Sequence, residues 1–127
     1  MSNAALQWTK FREEVAQHKR VFTFEEGGDW LVFPVNGQGV MPFWSTRSRA
    51  ERVRKYHPSK FEGFEILEIG LDHFLNKVLT GMDKDGFHVG VNWAGKRMIG
   101  YDILPTEVAE SLRAMLDLYS KRNSADS

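Results

Sequence analysis

The chain of 127 residues contains no cysteine, which excludes a disulfide framework, a thiolate nucleophile and any cysteine-based zinc site. It also lacks net charge, because 17 basic side chains balance 17 acidic ones. That balance argues against bulk attraction to nucleic acid or an anionic bilayer and leaves room only for a local patch. No apolar run approaches the eighteen or so residues needed to cross a membrane, and the first residues lack the apolar stretch of a secretory signal. The expectation is a cytoplasmic protein with no membrane partner. Repeats and low-complexity stretches are missing too, and only the segment 123–127 reads as a frayed tail after a single domain spanning 1–122.

What remains is the composition of an ordinary globular chain, 42% apolar and 27% charged, of a size that buries roughly 65 to 70% of its unfolded surface. Trp8, Phe11 and Val15 recur at i, i+3 and i+7 among charged residues, which predicts an amphipathic helix from an Asn3 cap to about Lys19. Val21–Glu26 and Trp30–Val35 are β-rich runs around Gly27-Gly28-Asp29, and the Asn36–Gly39 turn leads into Val40–Trp44. Three strands joined by short turns predict an antiparallel meander. Ser45 or Thr46 can cap a following helix with Ala50, Val53 and Tyr56 as its buried stripe, and Ser48 with Glu51 offers a later capping box. Pro58 should end that helix.

Phe64–Ile69 reads as a fourth strand. Asp72–Leu79 reads as a third helix, closed by Gly81 or by Asp85-Gly86. Phe87–Trp93 and Met98–Asp102 form a hairpin across Ala94-Gly95, and Pro105 opens a last helix with Val108, Leu112, Met115, Leu116 and Tyr119 on its apolar face. The order αβββαβαββα predicts an α+β fold in which an antiparallel sheet of about six short strands is covered by about four helices.

These residues carry a likeness. The W-x-x-F-x-x-x-V pattern of Trp8, Phe11 and Val15, the MPFW segment before the Ala50-Glu51 helix, the Phe64–Ile69 strand leading into LDHFL, and DKDGFHVGV together resemble the bacterial domain-of-unknown-function family 2750. The likeness covers nearly the whole chain and rests on the order of short, mostly structural motifs. A weaker likeness is to the N-terminal domain of the SseB-like proteins. The family likeness implies a compact α+β domain and no established activity. The strongly basic second helix departs from the family pattern.

The chemistry-bearing residues are dispersed. His18, His57, His73 and His88 show no spacing that would direct two imidazoles at one metal ion. Asp83-x-Asp85-Gly86 resembles the start of a calcium loop, but its glycine comes two residues early, so it reads as a helix-ending turn. Gly95-Lys96-Arg97 lacks the remaining frame of a phosphate-binding loop and reads as a hairpin turn. Asp72 and His73 are adjacent on a helix and diverge, while His88 and Asp102 can meet only across the last hairpin. No catalytic residue, metal site or cofactor follows.

The segment Val40–Lys55 is the exception. Arg47, Arg49, Arg52, Arg54 and Lys55 crowd one short helix against a single acid, Glu51, directly after Phe43 and Trp44. Neighbouring strand residues point to opposite faces, so one of these aromatics is expected as an exposed anchor unless the strand is covered on both sides. Three readings of the basic helix remain open. It is a solvated face; it pairs with Glu62, Glu65, Glu68 and Asp72 in the same molecule or in a homodimer; or, with Phe43, Trp44, Arg47, Arg49, Arg52 and Lys55, it binds a partner. The last gives a non-catalytic module for an acidic or mixed protein surface. Nucleic-acid binding by the same helix and a small-molecule enzyme built on His88 and Asp102 are the alternatives.

Overall fold

The computed structural model describes residues 3–125, apart from the side chains of Asn3, Ile99 and residues 123–125. It is an α+β fold of seven strands in two sheets with four helices. The side chain of the expected Asn3 cap and the last two residues of the expected tail lie outside what is described.

Helix α1 (Asn3–His18) buries Phe11, Val15 and Ala16. It stops one residue before the expected end because Lys19 turns left-handed, with φ of 61°, and donates its N–H to the Val15 carbonyl at 2.8 Å. The chain enters β1 (Arg20–Glu26) at once. Gly27 and Gly28, at φ of 59° and 92°, close a hairpin onto β2 (Asp29–Trp30). Two successive positive φ values suit the right-handed strand twist and favour glycine.

The expected Trp30–Val35 strand is instead two pieces in two sheets. After β2 the chain crosses over at Leu31, whose N–H bonds to the Phe24 carbonyl at 3.0 Å, and starts β3 (Phe33–Val35) elsewhere. Pro34 offers no ladder donor, and β3 lies at a sheet edge where none is required. Through the Asn36-Gly37 turn it pairs with β4 (Gln38–Phe43). The meander is therefore broken between a sheet of order β2-β1-β5, with β5 spanning Glu65–Gly70, and a sheet of order β3-β4-β6-β7.

The second sheet is mixed. Strand β4 runs parallel to β6 (His88–Ala94), Val40 opposite His88 through Phe43 opposite Val91, and β6 is antiparallel to β7 (Ile99–Ile103). A parallel pair needs a long crossover, and residues 44–87 supply it through α2 (Arg47–Tyr56), β5 and α3. The last consists of Leu71–His73, a π-helical turn Phe74–Val78 and Leu79–Asp85. It runs through Gly81 and ends at Gly86, left-handed at φ of 80°. Helix α4 (Pro105–Ala125) buries Val108, Ala109 and Leu112, and continues three residues into the segment expected to fray.

The two sheets are stitched at Phe22 and Trp44, which exchange N–H···O bonds of 2.8 Å each way. The Thr23 hydroxyl adds a buried bond to the Pro42 carbonyl at 2.8 Å. One core lies under α1, α3 and α4 and contains Phe11, Phe43, Phe74, Val89, Val91 and Leu112. A second, on the other face, contains Phe22, Phe24, Trp44, Phe61, Trp93 and, from α2, Ala50 and Val53.

Candidate functional site

The carboxyl end of β4 delivers the chain into α2. Phe43 and Trp44 are both 0% exposed, so neither is the exposed anchor that strand alternation led us to expect. The strand is covered on both sides. Phe43 enters the first core against Phe74, with ring centroids 5.0 Å apart, and Trp44 enters the second edge-on to Phe24 at 5.4 Å. The Trp44 indole donates to the Trp93 carbonyl at 2.8 Å, which satisfies its buried polar atom.

Trp93 is available there because β6 carries a bulge. Alternation would place Trp93 beside Val89 and Val91, but Asn92 adopts φ of 48° and the register shifts between Val91 and Ala94. An extra residue of this kind re-aims the side chains that follow it. Trp93 therefore packs in the second core, and the buried Asn92 side chain turns towards the start of α2. Its Oδ1 accepts from the Ser45 N–H at 2.9 Å, while its Nδ2 donates to Ser45 Oγ at 2.9 Å.

Ser45 Oγ in turn donates to Glu14 Oε1 at 2.6 Å. Glu14 also receives Arg49, Nε to Oε1 at 2.8 Å and Nη2 to Oε2 at 3.2 Å, and Arg49 Nη1 donates to Gln7 Oε1 at 3.1 Å. Burial pushes the Glu14 carboxyl up, but the hydrogen bonds from Arg49 and Ser45, with the charges of Arg49 and Lys10, outweigh it and hold the group below its ordinary value. Thr46 caps α2 by accepting the Arg49 N–H at 3.2 Å. This network ties α1, β4, β6 and α2 together and consumes Arg49. Ser45, read in the sequence as a possible cap, bonds Glu14 and Asn92 instead; those two were missed, and the one signal was an asparagine inside the apolar run of β6.

The remaining cations of α2 are differently placed. Arg47, Arg52 and Lys55 are exposed, and Arg54 is half-buried with its guanidinium 5.8 Å from the Phe24 ring centre. Tyr56, expected in the buried stripe, is 50% exposed. Spacing by three drifts about 60° per step around a helix, so only Ala50 and Val53 stay on the core face. Arg47 lies over the Phe22 ring at 5.5 Å and, with His18, Arg20 and Ser48, lines a cleft of about 310 Å³. Among the described residues, the salt bridges of the expected acids are confined to Glu68, which pairs with Arg20 at 3.5 Å and not with α2.

His88 and Asp102 do meet, Nδ1 to Oδ1 at 2.6 Å, at the surface with 31% of each side chain exposed. Ser111 and Asp102 line one pocket with Trp8, yet among the described residues no hydroxyl is hydrogen-bonded to the imidazole. Gly95-Lys96-Arg97 is a hairpin turn, with the Met98 N–H bonded to the Gly95 carbonyl at 3.1 Å. The described residues contain no group of three or more His, Asp or Glu placed to hold a metal ion, and no helix long and apolar enough to cross a membrane.

Architecture and site thus define a two-sheet α+β domain whose arginine-bearing helix is pinned at its start by a buried polar network. The chain belongs to the DUF2750 family, described as a protein of unknown function, whose model matches residues 8–112. That match spans the sheets and α2. Comparison with curated proteins finds no match.

Proposed function

We propose that this domain is a non-catalytic protein-interaction module that docks an acidic partner surface on the outward face of α2. One observation carries this reading. Arg47, Arg52 and Lys55 are exposed and, among the described residues, form no ion pair, on the helix whose Arg49 is locked by Glu14. The helix that carries these cations is fixed by its buried neighbours, so binding need order only their side chains, and arginine presents a planar fork to carboxylates. The aromatic contribution expected from Phe43 and Trp44 is withdrawn from the surface, leaving charge as the basis of recognition. The cleft beside Arg47 is shared with Arg20 and its partner Glu68, so within it Arg47 is the cation left for an acidic side chain.

The test compares pull-downs from native lysate by wild type and by Arg52→Glu/Lys55→Glu, with and without nuclease. Both positions are exposed, so the variant should keep its stability to within about 0.5 kcal/mol. The expected result is a set of acidic proteins lost with the charge reversal and kept after nuclease. An unchanged set removes this surface from consideration. Capture abolished by nuclease, with binding that falls steeply with salt, replaces the reading with nucleic-acid binding.

A further inference from the structure

On α3, His73, Lys77, Gly81 and Asp85 follow one another at four-residue spacing, the separation that aligns side chains along one side of a helix. At Gly81 that row has a gap. Glycine inside a helix is less favourable than alanine, and here neither backbone nor packing demands it. The residue is not at a positive φ, and a Cβ built on it would have no atom within 4 Å. What a side chain would fill is a pocket of about 270 Å³. Its walls are Trp30, Met41, Val78, Met82 and Phe87, drawn from β2, β4, α3 and the loop after it. The aromatic walls remain partly exposed while the methionines beneath are buried.

The rim is polar and uneven. His73 and Lys77 stand towards one end and Asp85 at the other, and among the described residues none of the three side chains has a hydrogen bond or ion pair. Eight residues of helix separate Lys77 from Asp85 by about 12 Å, enough for a body of single-ring length between them. The π-helical turn Phe74–Val78, closed by the Leu79 N–H on the Phe74 carbonyl, carries Lys77; such turns recur at functional sites.

We propose that this pocket is a binding site for a small apolar molecule carrying one anionic group, its body seated over Gly81 and its anion at Lys77 and His73. Apolar walls with a few convergent polar groups are the general form of small-molecule sites. Trp30, Met41, Met82 and Phe87 supply the apolar contact. The Lys77 ammonium and an imidazole N–H of His73 supply donors, and the Asp85 carboxylate repels an anion from the opposite end, which fixes orientation. None of these residues belongs to α2, so the site is independent of the acidic-partner surface.

The experiment titrates isotope-labelled protein with 4-methylbenzoate, 4-methylbenzamide and 4-methylbenzylamine and follows amide and indole resonances. Saturable shifts at Gly81, Lys77 and the Trp30 indole are expected, with the carboxylate several-fold tighter than the amide and the amine weakest. Gly81→Leu should abolish them at an undiminished thermal midpoint. Lys77→Glu, exposed and unpaired, should remove the carboxylate's advantage while leaving amide binding in place, and it serves equally if the leucine variant does not fold. Absence of saturable shifts at these residues in wild type, equal or tighter binding of the amine, or carboxylate binding undiminished by Lys77→Glu would each overturn the proposal.

Discussion

Arg49 closes on the Glu14 carboxylate through two hydrogen bonds, from Nε at 2.8 Å and from Nη2 at 3.2 Å, with both side chains about three-quarters shielded from solvent. The pair joins two helices that are distant in sequence, and Ser45 adds a third bond to the same carboxylate. A cation that reads as surface charge in the sequence is thus part of the scaffold.

The pair makes stability pH-dependent. Because the folded carboxyl of Glu14 lies below its ordinary value, its contribution is complete above the unfolded-state value and is lost as pH falls through the folded one. Wild type should exceed Glu14→Gln by about 1–2 kcal/mol at neutral pH. Urea midpoints of the two proteins, followed from about pH 7 to about pH 3, should converge at the acid end. A constant gap across that range would show that the charge of Glu14 contributes nothing.

Burial of both aromatics at the β4 end sets a second expectation. Phe43→Ala and Trp44→Ala should each cost about 3–5 kcal/mol, the range for emptying a core aromatic site. Trp44→Phe should cost about 2 kcal/mol, since the Trp93 carbonyl loses its 2.8 Å donor. Denaturant unfolding measures all three. An exposed anchor would change stability by no more than about 0.5 kcal/mol.

Much of the fold was legible because it is local. The stripe of Trp8, Phe11 and Val15, the Gly27-Gly28 and Asn36-Gly37 turns, the Thr46 cap and Pro105 each act within a few residues. What was illegible depends on partners far along the chain. Trp30–Val35 has uniform β character, and only its packing on two different cores splits it between sheets. The bulge at Asn92 reverses the facing of Trp93, and its reward, the bond from Trp44, comes from 49 residues away. At the site, Arg47, Arg52 and Lys55 were placed correctly on the surface by helical spacing. Phe43 and Trp44 were not, because covering a strand on both faces is a tertiary event.

The Asn92 bulge can be divided into backbone and side-chain parts. Asn92→Ala removes the acceptor for the Ser45 N–H and keeps a β-carbon at φ of 48° without the polar side chain that eases that conformation. Asn92→Gly removes the acceptor but accepts that φ freely. Both should destabilise, alanine more than glycine by about 1 kcal/mol, the cost of a left-handed non-glycine residue lacking a polar side chain. Chemical denaturation of the two variants gives the difference directly. Equal stabilities would mean that the backbone at residue 92 relaxes once its side-chain bonds are gone.

Two glycines should respond to the same substitution with opposite signs. At Gly81 a methyl group enters open space in the middle of a helix, so Gly81→Ala should stabilise by about 0.5–1 kcal/mol and raise the thermal midpoint by a few degrees. At Gly90, in β6, a Cβ would stand 2.6 Å from Cε2 and 2.7 Å from Cζ2 of Trp93. That ring is held by its Nε1–H on the Tyr101 carbonyl at 3.1 Å and by its place in the second core. Gly90→Ala should therefore destabilise by about 1–3 kcal/mol, the usual penalty for forcing atoms into a packed interior. Thermal melts of the two variants beside wild type decide both. Loss of stability at Gly81 would mean that its side of α3 is closed by contacts a methyl group disturbs, and the pocket over it would lose its physical basis.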